Sequence, residues 1–198
     1  MAGRARLRKD VLMAELYLVR HGETEWSKSG QHTSVTDLDL TEHGVEQARA
    51  LRSRLFPEDF QLVLASPRLR AQRTAKLAGF GHYEVDEDLS EWYYGDFEGM
   101  TSVQIREQVP GWRIWFNGCP DGESADQVRA RLTRVMTRVR ESGVDRAICF
   151  AHGHALRVLA LCWLDFPIAF GQSFPLAVGS VSIMGHEKES AAILRWNS

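Results

Sequence analysis

The chain has 198 residues, of which 44% are hydrophobic and 25% charged, and its 24 Lys and Arg residues nearly balance 26 Asp and Glu residues. The length fits one globular domain, and a net charge of −2 gives none of the overall basic character that favours nucleic-acid binding. No apolar stretch approaches the roughly 18 residues of a membrane span, so the sequence predicts none.

The first residues form a basic segment. Arg4, Arg6, Arg8 and Lys9 occur there without an acid, and Glu15 interrupts the apolar run that a secretory signal would need. We therefore interpret residues 1–12 as a flexible basic N-terminal extension and residues 13–198 as a single domain. An Arg-rich organellar presequence is the alternative interpretation of the same residues.

The first half of the chain alternates between strand-like and helical patterns. It predicts a strand over 15–19, a helix capped by Thr41 that ends before Pro57, and a strand over 60–65. Ser66-Pro67 is typical of an N-cap followed by proline at the first helical position, and that helix should run to about Ala78. A short strand over 83–85 follows.

The second half repeats the alternation after an irregular, aromatic-rich stretch from 86 to 122 that holds a short helix over 103–108. A capping box over 124–127 opens a long helix that Gly143 ends. A strand over 147–151, a helix to about Leu164 and two late strands over 181–184 and 193–196, which could form a hairpin, complete the pattern. The sequence predicts a three-layer α/β/α sandwich with a mostly parallel central sheet and helices on both faces.

Two predicted strands end in the same dipeptide. Arg20-His21-Gly22-Glu23 follows the first strand, and His152-Gly153-His154 follows the strand over 147–151. Ligands of α/β sheets bind at the carboxyl ends of strands. We therefore expect one pocket with two imidazoles and an arginine, which would suit a phosphoryl group.

Phosphoryl chemistry assigns roles to these residues. His21 is the candidate nucleophile, since an imidazole nitrogen can carry a phosphoryl group. Arg20 and Arg68 are the candidate cations, and Arg68 is expected in a first helical turn, where backbone N–H groups also favour anions. Taken alone, each of these histidines and arginines could be an ordinary polar or solvated side chain. Their occurrence in order on successive strand ends favours a phosphoryl-binding site. A metal pair at His152 and His154 is disfavoured because no carboxylate or cysteine lies at ligand spacing.

An acid is also needed to protonate the departing oxygen. Glu91, in an aromatic-rich segment, is the best candidate. Composition alone leaves five rivals open: Asp86, Glu87, Asp88, Asp96 and Glu98. The neighbouring aromatic residues could line a substrate pocket or form ordinary core: Trp92, Tyr93, Tyr94, Trp112, Trp115 and Phe116.

In these motifs the chain resembles the histidine phosphatase superfamily, which includes the cofactor-dependent phosphoglycerate mutases. The resemblance spans about residues 15–165. It rests on Arg20-His21-Gly22-Glu23-Thr24, Leu40-Thr41-Glu42-His43-Gly44, Ser66-Pro67-Arg68, Leu89-Ser90-Glu91 through Glu98-Gly99, Asp121-Gly122-Glu123-Ser124 and His152-Gly153.

The resemblance implies a phosphoglycerate mutase-like fold and a phosphohistidine at His21. It implies that Arg20, Arg68 and His152 bind phosphoryl oxygens and that Glu91 is the proton donor. Three stretches, residues 26–31, 66–71 and 150–157, look most like fungal sedoheptulose-1,7-bisphosphatases and small bacterial acid phosphatases. By that likeness Arg157 binds the far end of the substrate, and the pocket is lined by His32, Thr33, Glu91, Trp92, Tyr93 and Tyr94.

Departures from the family pattern point to hydrolysis. Mutases carry Asn at the position of Ser27 and an Arg-His-Tyr-Gly element where this chain has Trp92-Tyr93-Tyr94-Gly95. The sedoheptulose bisphosphatases carry insertions near residues 80–88 and after Trp163 that are absent here, which leaves the particular sugar open.

The sequence therefore predicts a metal-independent phosphatase of small phosphorylated metabolites, sugar phosphates or bisphosphates, without a cofactor. The alternatives are a cofactor-dependent phosphoglycerate mutase and an inactive family member that serves as a binding module. We expect no nucleic-acid or membrane partner and leave a homodimer open. Three cysteines, which cannot all pair, favour a reducing, cytoplasmic location.

Overall fold

One six-stranded sheet organises the chain in a computed structural model that describes residues 14–198. The strands are β1 (Glu15–Arg20), β2 (Leu62–Ala65), β3 (Glu84–Val85), β4 (Arg146–Ala151), β5 (Val181–Glu187) and β6 (Ser190–Arg195), in the spatial order β3-β2-β4-β1-β5-β6. The first four are parallel, whereas β5 and β6 form an antiparallel hairpin. This confirms the mostly parallel sheet. The extension over 1–12 lies outside the described residues, and the single domain over 13–198 stays a prediction.

Seven α-helices occur among the described residues. They are α1 (Glu25–Ser29), α2 (Glu42–Ala50), α3 (Leu69–Leu77), α4 (Ser102–Gln108), α5 (Ile114–Asn117), α6 (Ala125–Glu141) and α7 (Gly153–Leu164). Sequence periodicity predicts neither α1 nor α5, because helices of five and four residues are too short to show a helical repeat. No helix among residues 14–198 has the length and apolar composition needed to cross a bilayer.

Each face of the sheet packs against its own core cluster. Successive side chains of a strand point to opposite faces. Leu16 and Leu18 of β1 accordingly pack in the cluster that contains α6 and α7, whereas Val19 packs in the cluster that contains Leu51 and Ala75. This alternation confirms the three-layer α/β/α arrangement.

The parallel register of β1 and β4 brings the two His-Gly dipeptides together. Arg20 pairs with Ala151, and the next residues, His21 and His152, leave the sheet side by side. Their ring centroids are 5.3 Å apart.

The predicted caps are correct at two helices and wrong at a third. Thr41 caps α2, and Ser124 caps α6 with the predicted capping box. The helix expected from Pro67 begins at Leu69 instead, and its N-cap is Arg68, which makes no side-chain cap. The Ser66 hydroxyl accepts from the Arg68 N–H at 3.3 Å and also faces the His152 Nε2 atom at 2.7 Å, 86 residues away in sequence. Arg68 keeps an extended backbone (φ −76°, ψ 136°), so the helix begins only after it.

Candidate active site

The loop after β1 is built on a close backbone contact. A Cβ atom at Gly22 would overlap the carbonyl of Gly44, and one at Gly44 would overlap that of Glu23. Only glycine permits this approach. The Gly22 N–H donates to Thr74 Oγ1 at 3.1 Å. The contact fixes the chain directly after His21.

His21 is buried, with 5% of its surface exposed, and its orientation is set by its own loop. Its Nδ1 atom lies 2.8 Å from the Gly22 carbonyl, which can only accept a hydrogen bond. The imidazole is therefore protonated on Nδ1 and carries its lone pair on Nε2. Burial, with the guanidinium groups of Arg70 and Arg20, lowers the pKa of His21 well below its usual value.

His152 is fully buried beside His21. Its Nδ1 accepts from Arg70 Nε at 3.2 Å, so its proton is on Nε2, which donates to Ser66. Burial lowers the pKa of His152 well below its usual value, and Arg70 is the strongest charged contributor. Both histidines are therefore neutral and of one defined tautomer.

Arg20 brings a cation to the same place. Its Nη1 donates to the Leu176 carbonyl, while its buried Nε has no hydrogen-bond partner in the described part of the chain. Gly153 leaves room for the guanidinium, since a Cβ there would lie 3.2 Å from Arg20 Cζ. Burial lowers the pKa of Arg20, and the Glu91 carboxylate opposes this effect.

Arg68 does not line the cavity that holds His21. It lines a neighbouring cavity together with Ser34 and Tyr93, and Glu91 belongs to both cavities. Its Nε is buried and unpartnered among residues 14–198. The expected place of Arg68 in a first helical turn is wrong, because α3 begins one residue later. Its phosphoryl-binding role stays a prediction.

Arg70 is the residue that sequence reasoning missed. It is fully buried and donates to His152 and to the carbonyls of Thr33 and Thr36. In the sequence it belongs to Arg68-Leu69-Arg70, which looks like a solvated helix face. The only sequence signal was its position one helical turn before Thr74, whose hydroxyl donates to the Arg70 carbonyl and accepts from the loop after β1.

The Glu91 carboxylate, 7% exposed, lies at the N-terminus of α7. It accepts backbone hydrogen bonds from Trp92 at 2.9 Å, Ala155 at 2.8 Å and His154 at 3.1 Å. Arg131 of α6 donates to the Glu91 carbonyl at 3.1 Å and so fixes the backbone as well. The carboxylate is held rigidly at the cavity wall.

The rival carboxylates have other roles or places. Asp86 and Asp88 form ion pairs with Arg138 and Arg134. Glu98 accepts from the backbone N–H groups of Ser34 and Thr36 and fixes that loop. Glu87 lines the neighbouring cavity, and Asp96 lines neither. Of the described residues around the His21 cavity, Glu91 alone has a carboxylate.

The His21 cavity has a volume of about 190 Å³. Its walls contain Arg20, His21 and Glu91. They also contain four of the predicted substrate-binding residues, together with His154: His32, Thr33, Tyr94 and Arg157. The Tyr94 hydroxyl lies 2.7 Å from His154 Nδ1. Arg157 packs over the Trp115 ring at 4.5 Å, and burial lowers its pKa to about 10.

Two residues predicted to line the pocket do not reach it. Trp92 is fully buried, packs edge-on against Trp115 and donates to the Glu123 carbonyl at 2.9 Å, so it forms core beneath the wall. Tyr93 is 40% exposed and lines the neighbouring cavity. Of the other aromatics, Trp112 and Trp115 line an adjoining cavity and Phe116 is exposed.

The arrangement combines a neutral imidazole with a free Nε2, buried guanidinium groups and one carboxylate. A phosphoryl group carries negative charge on three oxygens, which such cations match. No cluster of three or more metal-ligating side chains occurs among residues 14–198. Fold and site together define an α/β enzyme that acts on phosphoryl groups.

Comparison with known proteins gives the family. The model of the histidine phosphatase superfamily (branch 1) matches residues 16–198, and the chain belongs to that superfamily. An acid phosphatase of Mycobacterium tuberculosis is 43% identical over 176 residues, which cover 87% of this chain and 86% of the relative. Sedoheptulose 1,7-bisphosphatase of Saccharomyces cerevisiae is 38% identical over 183 residues, which cover 76% and 68%.

Mutases are also among the relatives. The 2,3-bisphosphoglycerate-dependent phosphoglycerate mutase of Sinorhizobium fredii is 35% identical over 165 residues, covering 74% of this chain and 77% of the mutase. A solved structure from Mycobacterium tuberculosis superimposes with a TM-score of 0.89 at 37% identity and covers 93% of this chain and 97% of its own. The family and the two phosphatase relatives make the chain a phosphoric monoester hydrolase.

Proposed function

We propose that the chain hydrolyses phosphate monoesters of small metabolites, sugar phosphates or bisphosphates, through a phosphohistidine at His21 and without a metal ion. The observation that carries the proposal is the hydrogen bond from His21 Nδ1 to the Gly22 carbonyl at 2.8 Å, which leaves Nε2 as a neutral nucleophile. The superfamily membership and the sugar-bisphosphatase relative support the substrate class.

In the first step, His21 Nε2 attacks phosphorus and the bond to the ester oxygen breaks. Arg20 neutralises charge on the phosphoryl oxygens, and Arg70 contributes positive charge from behind His152. Glu91, which enters this step protonated, gives its proton to the departing oxygen and is left as a carboxylate. In the second step, Glu91 takes a proton from water, which attacks phosphorus and releases phosphate and free His21.

Three further expectations accompany this proposal. A small phosphorylated metabolite is the partner, without nucleic acid or membrane, and a homodimer is left open. The cytoplasmic location is supported by three unpaired thiols in the described part of the chain: Cys119, Cys149 and Cys162. All three stay predictions.

The test compares wild type, His21→Ala and Glu91→Gln. Wild type should release phosphate from p-nitrophenyl phosphate and from sugar phosphates at the same rate with and without EDTA, and His21→Ala should release none. Glu91→Gln should lower kcat/KM far more for sugar phosphates than for p-nitrophenyl phosphate, whose leaving group needs no proton, because kcat/KM reports the phosphorylation step. It should lower kcat for both, because the second step uses Glu91 as the base. An alkaline rapid quench should trap a phosphoenzyme in wild type and in Glu91→Gln incubated with p-nitrophenyl phosphate, and none in His21→Ala.

Three results would contradict the proposal. Full activity of His21→Ala would exclude the phosphohistidine, and loss of activity in EDTA would indicate a metal. Bisphosphoglycerate-dependent isomerisation of phosphoglycerate that exceeds phosphate release would identify a mutase. No phosphate release from any ester would identify an inactive binding module.

A further inference from the structure

The loop before β5 holds both the backbone and the side chain of Arg20. The Gly179 N–H donates to the carbonyls of Arg20 and His21 at 3.2 and 3.0 Å. The Ser180 carbonyl accepts from the Arg20 N–H at 3.2 Å, and the Leu176 carbonyl accepts from Arg20 Nη1. This loop therefore helps to determine where the guanidinium group lies relative to His21.

The Leu176 carbonyl orients the Arg20 guanidinium group. It is the one hydrogen-bond acceptor recorded for that group among residues 14–198, and Arg20 Nε is buried without a partner there. A guanidinium with one protein acceptor keeps its other N–H donors for phosphoryl oxygens, and its direction depends on where that acceptor lies. A shift of the Leu176 carbonyl would therefore move these donors relative to His21.

Two side chains after β6 hold the residues on either side of Leu176. Trp196 Nε1 donates to the Pro175 carbonyl at 2.7 Å. Asn197 Oδ1 accepts from the Ala177 N–H at 2.7 Å. The backbone around Leu176 is thus bound on both sides by residues that lie 20 and 21 positions later in the sequence.

The backbone after β6 is fixed in turn by β5. The Asn197 N–H donates to Ser182 Oγ at 2.9 Å, and Ser198 and Val181 exchange two backbone hydrogen bonds of 3.0 Å each. Asn197 has a φ of 54°, in the left-handed region that asparagine adopts more readily than most residues with a side chain. Asparagine therefore suits this position in two ways, through its backbone conformation and through the acceptor that it offers to Ala177.

We propose that Trp196 and Asn197 are positioning residues for Arg20. They hold the backbone on both sides of Leu176 and so place the carbonyl that directs the Arg20 guanidinium group. Neither side chain lines the cavity that contains His21, so each acts through Leu176 and not on the substrate. The inference rests on the proposed phosphatase function, in which Arg20 neutralises charge on the phosphoryl oxygens.

The test compares Asn197→Gly with Asn197→Asp. Glycine tolerates the left-handed backbone but loses the acceptor for Ala177, whereas aspartate keeps a side-chain acceptor and tolerates the same conformation. Trp196→Phe removes the Nε1–H donor and retains an aromatic ring. Asn117→Gly is the matched control, because Asn117 Oδ1 also accepts from a backbone N–H, at 2.8 Å, but belongs to α5 and does not line the His21 cavity.

Asn197→Gly and Trp196→Phe should each weaken vanadate binding and lower kcat/KM for p-nitrophenyl phosphate roughly three- to tenfold, since each loses one neutral hydrogen bond. The double variant should lose roughly ten- to a hundredfold. Asn197→Asp should match wild type, and Asn117→Gly should lower the melting temperature without changing either quantity at equal folded fraction. If the double variant binds vanadate as wild type does, or if Asn197→Asp is as damaging as Asn197→Gly, the proposal is wrong.

A measurement without turnover separates this proposal from the phosphatase proposal. Nuclear magnetic resonance follows solvent exchange of the buried Arg20 Nε–H, whose signal is assigned by its absence in Arg20→Lys. Exchange should be roughly tenfold faster in Asn197→Gly than in Asn197→Asp or Asn117→Gly, even if the protein hydrolyses no ester. Full activity of His21→Ala would overturn the phosphohistidine and leave this result standing. Unchanged exchange in the double variant of Asn197→Gly and Trp196→Phe would overturn the positioning role.

Discussion

At the scale of single residues, hydrogen bonds in the site determine which ring nitrogen of each histidine carries the proton. Arg70 donates to His152 Nδ1, which places the His152 proton on Nε2 toward Ser66. The Gly22 carbonyl places the His21 proton on Nδ1. Because a guanidinium does not give up its proton, Arg70 sets the tautomer of His152 at any working pH. Arg70 therefore acts as a positioning residue and as a fixed charge.

This role gives a prediction that separates Arg70 from Arg68. Arg70→Lys keeps the charge but cannot reproduce the fork that binds His152 and the carbonyls of Thr33 and Thr36. It should lower kcat/KM for p-nitrophenyl phosphate by about a hundredfold, from the loss of charge-assisted hydrogen bonds. Arg68→Lys, in the neighbouring cavity, should lower it by less.

The measurement is kcat/KM for both variants, together with the melting temperature and the affinity for vanadate. Arg70→Lys should weaken vanadate binding in its folded fraction, which a purely structural defect would not do. If Arg68→Lys proves the more damaging change, Arg68 regains the role that the sequence predicts for it.

At the scale of elements, the sequence predicts the strands and long helices because their apolar periodicity is local. It also predicts the meeting of His21 and His152, since parallel strand ends share one edge of a sheet. Sequence-based prediction fails where the contacts of a side chain come from residues far away in the sequence. Ser66 has the sequence of an N-cap, but its partner His152 lies 86 residues away. Arg70 looks solvated, but carbonyls of residues 33–36 bury it.

The two serines yield a second prediction. Ser124→Ala removes the capping bond to the Gln127 N–H and should cost about 1 kcal/mol of unfolding free energy with kcat/KM unchanged. Ser66→Ala leaves the buried Nε2–H of His152 without an acceptor and should cost about 1–3 kcal/mol. It should also lower kcat/KM, because His152 loses its orientation.

Urea unfolding and steady-state kinetics on the two variants provide the check. The decisive comparison is activity at equal folded fraction. Loss of stability without loss of activity in Ser66→Ala would return Ser66 to the purely structural role of a cap.

At the scale of the whole molecule, the fold gathers four histidines: His21, His32 and His154 line one cavity, and His152 packs against His21. His21 and His152 are buried, and His32 and His154 are half-buried. Burial lowers the pKa of His32 to about 4 and lowers the pKa values of His21, His152 and His154 well below their usual range. The nearby arginines add to the effect at His21, His152 and His154. The nucleophile must be unprotonated, and the same burial and positive charge that keep His21 neutral also lower the pKa values of the other three histidines.

This has a consequence for stability against pH. In the unfolded chain each histidine binds a proton below about pH 6.5, whereas in the folded chain it does not. The unfolded state therefore binds more protons in this window, and the free energy of unfolding falls as the pH is lowered from 6.5 toward 5. Each of the four histidines contributes up to about 1.4 kcal/mol per pH unit, and the four together contribute up to about 5.6 kcal/mol per pH unit.

Urea unfolding at pH 7.5, 6.5, 5.5 and 5.0 measures this slope. His32→Asn removes one of the four groups and should reduce the slope by about 1.4 kcal/mol per pH unit, because the asparagine does not titrate. The acid limb of kcat/KM should lie well below pH 6.5 for the same reason, since His21 stays neutral there. An unfolding free energy that does not change between pH 7.5 and 5.5 would mean that these histidines bind protons equally in the folded and unfolded chains. That result would contradict the neutral His21 nucleophile.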